Sequence, residues 1–325
     1  MLQAVASPAP DPAPVADVST FIQATEVWTP DASGERLVRS SGIYGDLHEF
    51  AAVSGGESFA YGEGLPGRTW EQQRPLVLKS FDPSTFKRTA AAEAAGLTAG
   101  VSLPVFNGDA LVGVVVFLCA ANDETIGAIE VWSANDDTGN IMALADGYFG
   151  AARHFEWISK HTTFPKSMGL PGGVWETGGA KLVRDLGASH RFIRSEQAGD
   201  AGITTGLGLP VASPLSDPFV LTLLSARGTP IARRFEVWSV TGAEAVTYAD
   251  GICEVEGDPY GGVVGTALSG EASAAVRQVA DTGAPLAAAA SDLSDPIAVR
   301  CGYGSVVGFP VYRGTTLAEI VVWYF

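Results

Sequence analysis

Three things are scarce in this chain, and each scarcity excludes something. Cysteine occurs three times in 325 residues and never in CxxC spacing. Neither a disulfide framework nor a zinc site is expected, and a reducing cytoplasm is the expected setting. Positive charge is thin: 20 Lys and Arg against 36 Asp and Glu leave a formal charge of −16, and no basic run offsets it. Nucleic acid and anionic membrane surfaces are therefore excluded as partners, because phosphate binding draws on clustered Lys and Arg. Long apolar runs are missing too. The most apolar stretch, Leu111 to Ala120, is about half the roughly 20 residues a membrane helix needs, and its β-branched composition suits a buried strand.

What the chain does have is apolar residues, 46% of the total, enough to give each of two or three ordinary domains a core. Residues 1–19 stand apart: rich in Ala and Pro, they lack the cationic start and apolar stretch of a signal peptide and read as a disordered tail.

The rest is repetitive. Glu-Val-Trp occurs at 26–28, 130–132 and 236–238, spacings of 104 and 106 residues. A glycine follows each copy behind an apolar segment (Gly42, Gly147, Gly251), and a small residue, then Leu or Phe, then Pro stands at 102–104, 208–210 and 308–310. One structural unit has been copied three times. The first two copies share more: Gly64-Leu65-Pro66-Gly67 answers to Gly169-Leu170-Pro171-Gly172, and Phe86-Lys87-Arg88 to Phe192-Ile193-Arg194. The third has drifted; residues 262–286 keep a helix-forming run and a final Gly-x-Pro but lose Gly-Leu-Pro-Gly.

Within a copy, the Glu-Val-Trp segment and the segment before the glycine read as strands bounded by turn residues. Gly-Leu-Pro-Gly launches a short helix carrying Trp70 or Trp175. Leu76 to Leu78 reads as a short strand, residues 84–96 as a helix capped by Ser84 and closed by Gly96, and 101–106 with 111–119 as a hairpin joined by Asn107-Gly108-Asp109. Two registers remain open. The Glu-Val-Trp strand opens each unit, which lets all three copies start and finish alike and is preferred, or it pairs with the strand just before it and closes the preceding unit.

GLPGRTWEQQRPLVL, FKR and GLTAGVSLPVFNGDALVGVVVFLCA resemble the core signature of GAF domains, and GLPGGVWETGGAKLV with FIR and GLGLPV resembles it again. The resemblance implies an α+β fold of three tandem GAF-like modules, each a roughly six-stranded antiparallel sheet flanked by helices, at 20–122, 123–228 and, divergent, 229–325. It also implies a small-molecule pocket beneath the helices, with a sensory, ligand-binding or dimerising role. The joins are shorter than the helical linkers usual in signalling chains, and no output domain, cyclic-nucleotide pattern or bilin-attaching Cys-His pair is found.

The candidate ligand-binding residues are Tyr61, Trp70, Arg88, His154, Trp175, His190 and Arg194. Trp70 and Trp175 could stack on a heterocycle or pin helix to sheet. Arg88 and Arg194 could grip an anion or pair with a nearby acidic side chain. His154 and His161 lie two turns apart if helical, without an evident third metal ligand. Cys253 and Cys301, if brought together, would suit a thiol reductase of the free methionine sulfoxide type. The expected function is a cytoplasmic sensor that binds an unknown small molecule and acts through a protein partner or a homodimer, without a cofactor. A non-catalytic scaffold with closed pockets is the alternative, and the reductase comes third.

Overall fold

A computed structural model describes residues 20–120, 125–134, 139, 141–189, 192–226, 228–242, 245–254, 262–269 and 273–325. The Ala/Pro-rich segment 1–19 and His190 lie outside them.

The first module holds strands β1 (Ala24–Pro30), β2 (Arg36–Ile43), β3 (Ser58–Ala60), β4 (Leu76–Leu78), β5 (Leu97–Asn107) and β6 (Ala110–Ala120), with helices α1 (His48–Gly55), α2 (Gly64–Gln72) and α3 (Thr89–Ala94). The second holds β7 (Ile126–Ser133), β8 (Ile141–Gly150), β9 (Thr163–Pro165), β10 (Lys181–Val183), β11 (Ile203–Val211) and β12 (Phe219–Ala226), with α4 (Arg153–Lys160), α5 (Gly169–Thr177) and α6 (Ser195–Asp200). The third holds β13 (Arg234–Val240), β14 (Val246–Cys253), β15 (Leu286–Ala289), β16 (Ser305–Arg313) and β17 (Thr316–Tyr324), with α7 (Ala274–Thr282), α8 (Ala290–Leu293) and α9 (Pro296–Cys301).

The sheet orders are β3-β2-β1-β6-β5-β4, β9-β8-β7-β12-β11-β10 and β14-β13-β17-β16-β15, one antiparallel pattern three times, with five strands among the described residues of the third. β7 pairs with β8 and β12 rather than with β6. The same bulge recurs between Val27 and Trp28, Val131 and Trp132, and Val237 and Trp238. A bulge strengthens local twist and re-aims side chains, so its recurrence marks equivalent backbone, not just equivalent letters. The helix expected over 84–96 is shorter, because Asp82 folds 82–85 into a turn by accepting from Ser84 and the helical run starts at Thr89.

Period-two geometry explains the Glu-Val-Trp motif. Glu and Trp share one face of the strand, Val the other. Trp28, Trp132 and Trp238 each enter a separate core beneath their own helices, while Val27, Val131 and Val237 meet in a fourth core that all three sheets share. β6 does the same with consecutive residues: Val114, Val116 and Leu118 face inward, and Val115, Phe117 and Cys119 face the shared core. A sheet buried on both faces is why Leu111–Ala120 shows no polar alternation. Each fully buried residue of this size contributes about 1.5–3 kcal/mol, so the shared core fixes the modules against one another.

The modules meet head to tail. β4 touches β8, β10 touches β14, and β15 touches β2, while β5, β11 and β16 touch each other. The third contact returns to the first module, so the arrangement closes into a ring. Lys79 pairs with Asp146 at 2.9 Å across the first seam, and Arg184 with Asp250 at 2.7 Å across the second. In the third seam the equivalent positions hold Ala289 and Ser41, and Ala287 N donates to Ser41 Oγ at 3.1 Å.

Two glycines of Gly-Leu-Pro-Gly have separate jobs. Gly64 and Gly169 turn with φ of +59° and +63°, and a Cβ on Gly67 or Gly172 would lie 2.0 or 2.2 Å from the carbonyl oxygen of Ala60 or Pro165. The first permits the left-handed turn; the second lets the helix touch the neighbouring strand.

Candidate functional site

The face beneath the helices, where the GAF resemblance puts a pocket, is occupied in the first two modules by the protein itself. Arg88, set at the start of α3, is 3% exposed and Glu26 0%. Arg88 Nη2 donates to Glu26 Oε2 at 2.8 Å, Nη1 donates to Oε1 and to Ser54 Oγ, and Trp28 Nε1 and Tyr44 Oη each donate to Glu26 at 3.0 Å. The guanidinium carbon lies 4.9–5.8 Å from the ring centres of Trp28, Phe50, Phe59 and Phe86.

The second module repeats this. Arg194 donates to Glu130 and to Ser159, Trp132 Nε1 donates to Glu130 at 3.0 Å, and Trp132, Phe155, Phe164 and Phe192 enclose the guanidinium at 4.7–5.5 Å. Thr222 Oγ1 takes the place of a further donor at 2.8 Å. Burial alone would push both carboxyls up, but the paired guanidinium and the hydrogen bonds hold Glu26 and Glu130 below the ordinary value. Of the two roles open to Arg88 and Arg194 from sequence, the structure displays pairing with an acidic side chain.

The third module lacks that arginine. Glu236 accepts from Arg234 Nε at 2.7 Å, on its own strand, and from Trp238 Nε1 at 2.9 Å. Burial and nearby Asp295 raise its pKa despite Arg234. Asp295, fully buried, ties two helices together: Oδ2 accepts from Ala274 N and Ala275 N of α7, and Oδ1 from Ile297 N and Ala298 N of α9. A carboxylate at two helix N-termini is favoured by unpaired N–H groups and both dipoles.

The remaining sequence candidates scatter. Tyr61 is 55% exposed and packs edge-on against half-buried Trp70, with ring centres 5.2 Å apart. Trp175 is half-buried beside the core of its module, with Lys166 Nζ 5.5 Å from its ring. His154 and His161 do flank one helical face, but with exposed Trp157 between them, at 6.5 and 4.3 Å. Among the described residues no three His, Cys, Asp or Glu side chains converge as metal ligands. Cys253 ends β14 beside the Tyr303 hydroxyl at 3.7 Å, Cys301 is buried at the end of α9, and no disulfide is formed. No helix of the described residues is long and apolar enough to cross a membrane.

An open cleft of about 680 Å³ lies at the seam between the second and third modules. α5, the edge strand β10 and Phe192–Ile193 form one side; Val237, Ala249 and Asp250 of the third module form part of the other. Its volume falls in the range of small-molecule sites. Ser167 at its margin holds φ of +73°, where the first module has Gly62 at +78°. A non-glycine side chain there costs about 1 kcal/mol or more. Lys181, Met168 and Ile193 were not picked out from sequence. The available signal was a mismatch between copies, since Lys181 stands where the others have Leu76 and Leu286. A second cavity of about 470 Å³ lies between α1 and α3, lined by His48, Phe50 and Val53 among others.

The solved structures similar to this chain include GAF domains. One is from a phosphoenolpyruvate-protein phosphotransferase of Coxiella burnetii, with 18% identity over 30% of this chain and 56% of that one, TM-score 0.25. Another is the nlh2 GAF domain of A. aeolicus, at 18% over 32% and 60%, TM-score 0.25. Free methionine-R-sulfoxide reductase from Neisseria meningitidis, in complex with its substrate, matches at 20% over 32% and 53%, TM-score 0.24. The matched part spans little more than half of each of these chains. No curated protein sequence matches. A family model described as GAF domain matches residues 23–136, the whole first sheet and the strand that opens the second, so the chain carries a GAF domain at its first module.

Proposed function

We propose that this is a non-catalytic, sensory ligand-binding protein, three GAF-like modules closed in a ring, which takes a small molecule into the cleft between the second and third modules and acts through a partner protein or a second copy. The cleft carries the reading. It joins an apolar lining to a few convergent polar groups, the usual composition of small-molecule sites, whereas the interiors of the first two modules are filled by their own Arg–Glu pairs. Cys301 is buried, whereas activated thiols sit partly exposed, and this supports a role without chemistry. Three cysteines that form no disulfide suit a cytoplasmic setting.

Native mass spectrometry of the purified chain, with a thermal-shift screen of metabolites, tests this. A bound or stabilising compound whose effect disappears in Ile193→Trp, which fills the cleft from an exposed position, is the expected result; stabilisation unaltered by that substitution would place binding elsewhere. A second reading, a scaffold or dimerisation protein, is favoured by the filled interiors together with exposed Ile141, Met168 and Ile193, at 40%, 51% and 51%. It predicts a concentration-dependent dimer in light scattering that Ile193→Lys disperses.

A further inference from the structure

The second module's surface around the cleft differs from its counterpart in the first in one consistent way. In the first module this ground is charged: Arg36 pairs with Glu63 at 3.0 Å, and Lys87 pairs with Glu57 at 3.0 Å and Glu63 at 3.1 Å, across the start of α2. The equivalent positions in the second are Ile141, Met168, Ile193 and Thr162. Three large apolar side chains stand open to solvent where a copy of the same unit is closed by ion pairs. Exposed apolar ground beside a cleft marks a place where something binds.

One cation stands among the residues that line the cleft. Lys181 replaces a leucine of both other modules, and its ammonium lies over Gly173, where a Cβ would come within 3.0 Å of Nζ; the first module has Arg68 there. The acidic groups of the cleft are committed: Asp250 to Arg184 at 2.7 Å, Glu319 to Arg313 at 3.2 Å and to Ala180 N at 2.6 Å. Lys181 has no hydrogen-bond or ion-pair partner among the described residues. A half-buried cation without a counter-charge, in a protein of net charge −16, is a site for an anion brought from outside. A single ammonium matches a single negative charge, and the carboxylates of Asp250 and Glu319 in the same cleft oppose a dianionic phosphate more strongly than a monoanion.

Building on the ligand-binding role of the cleft, we infer that its ligand is a small organic carboxylate with an apolar body, the carboxylate paired with Lys181 and the hydrocarbon covered by Met168, Leu170, Phe192 and Ile193.

Calorimetric titration of the full chain with octanoate and, separately, with octanamide tests this. Octanoate should bind saturably and at least about tenfold more tightly than the amide, as expected when a charged hydrogen bond is removed. Lys181→Met should erase that preference, Lys181→Arg should retain it, and circular dichroism should show both variants folded. Equal affinity for acid and amide, or octanoate binding unaffected by Lys181→Met, overturns the carboxylate inference. If both probes bind equally and Ile193→Trp abolishes both, the cleft still binds ligands and only the charge argument fails. If neither probe binds the wild-type chain, the carboxylate inference falls with them, while the metabolite screen decides separately whether the cleft binds anything.

Discussion

The first two modules and the third solve one problem differently. Each buries the glutamate of its Glu-Val-Trp strand with no solvent contact, and a buried carboxylate must be paired or protonated. In the first two, the arginine comes from the start of a helix 62 or 64 residues further on, so neutralising the charge also ties helix to sheet. In the third, Arg234 comes from the same strand, and Asp295 binds the helices to each other instead. The third module thereby lacks the long-range tie, and its glutamate holds its proton more readily. A duplicated fold keeps an interaction only while both ends remain.

Removing the arginine should expose the contrast most strongly. Arg88→Met leaves Glu26 buried beside its tryptophan and tyrosine donors but with no counter-charge, and should cost about 3–5 kcal/mol. Arg88→Met combined with Glu26→Gln should recover most of it. Arg234→Met should cost less, about 1–3 kcal/mol, because Glu236 already tends toward its neutral form. Hydrogen exchange read by mass spectrometry assigns each loss to a module; equal losses for Arg88→Met and Arg234→Met would mean that the tie between helix and sheet adds nothing. Gly67→Ala comes next. Its methyl would be forced against the Ala60 carbonyl, at a cost of about 2–4 kcal/mol confined to the first module, and an unchanged melting temperature would show that the helix can shift without loss.

Acidification should separate the modules in sign. Glu26 and Glu130 titrate below their ordinary value when folded, so the stability they supply is complete above the unfolded value, about 4.3, and drains away as pH falls through their lower folded values. Glu236 is raised. Its contribution is fullest below the unfolded value and is lost as pH rises through the folded one, so mild acidification from neutrality should increase protection in the third module before the other two weaken. Parallel loss in all three from pH 7 downward would contradict this.

The repeats made the modules legible, because Glu-Val-Trp and Gly-Leu-Pro-Gly encode contacts made within a few residues: a strand with two buried faces, a left-handed turn, a backbone touching a backbone. The shared core was not legible. Val27 gives no sign that its neighbours are Val131 and Val237 rather than a helix of its own module, since periodicity reports that a face is buried, not against what. The sequence leaves Arg88 open between an anion and an acidic side chain because its partner lies 62 residues away, and sequence distance hides such pairs. Lys181 shows in the sequence only as a mismatch with Leu76 and Leu286, because the cleft that gives it a setting exists only once the ring has brought the second and third modules together.

The seams offer the gentlest contrast. Two carry an ion pair and the third carries neither half, although the positions are equivalent. All four charged side chains are 41–51% exposed, so each pair is worth about 0.2–1 kcal/mol and weakens with salt. Asp146→Asn should therefore lower the melting temperature slightly at low ionic strength and hardly at all at 1 M salt. Installing the missing pair as Ser41→Asp with Ala289→Lys tests the other side, and the outcome depends on packing as much as charge. Alanine and serine let β15 and β2 approach until Ala287 N meets Ser41 Oγ at 3.1 Å, and the aspartate would have to keep that acceptor while the lysine reached outward. A gain of a few tenths of a kcal/mol that salt removes would mean that the three seams are interchangeable. A loss that salt does not change would mean that the third seam closes the ring by close packing, and that its charges were lost because the approach left no room for them.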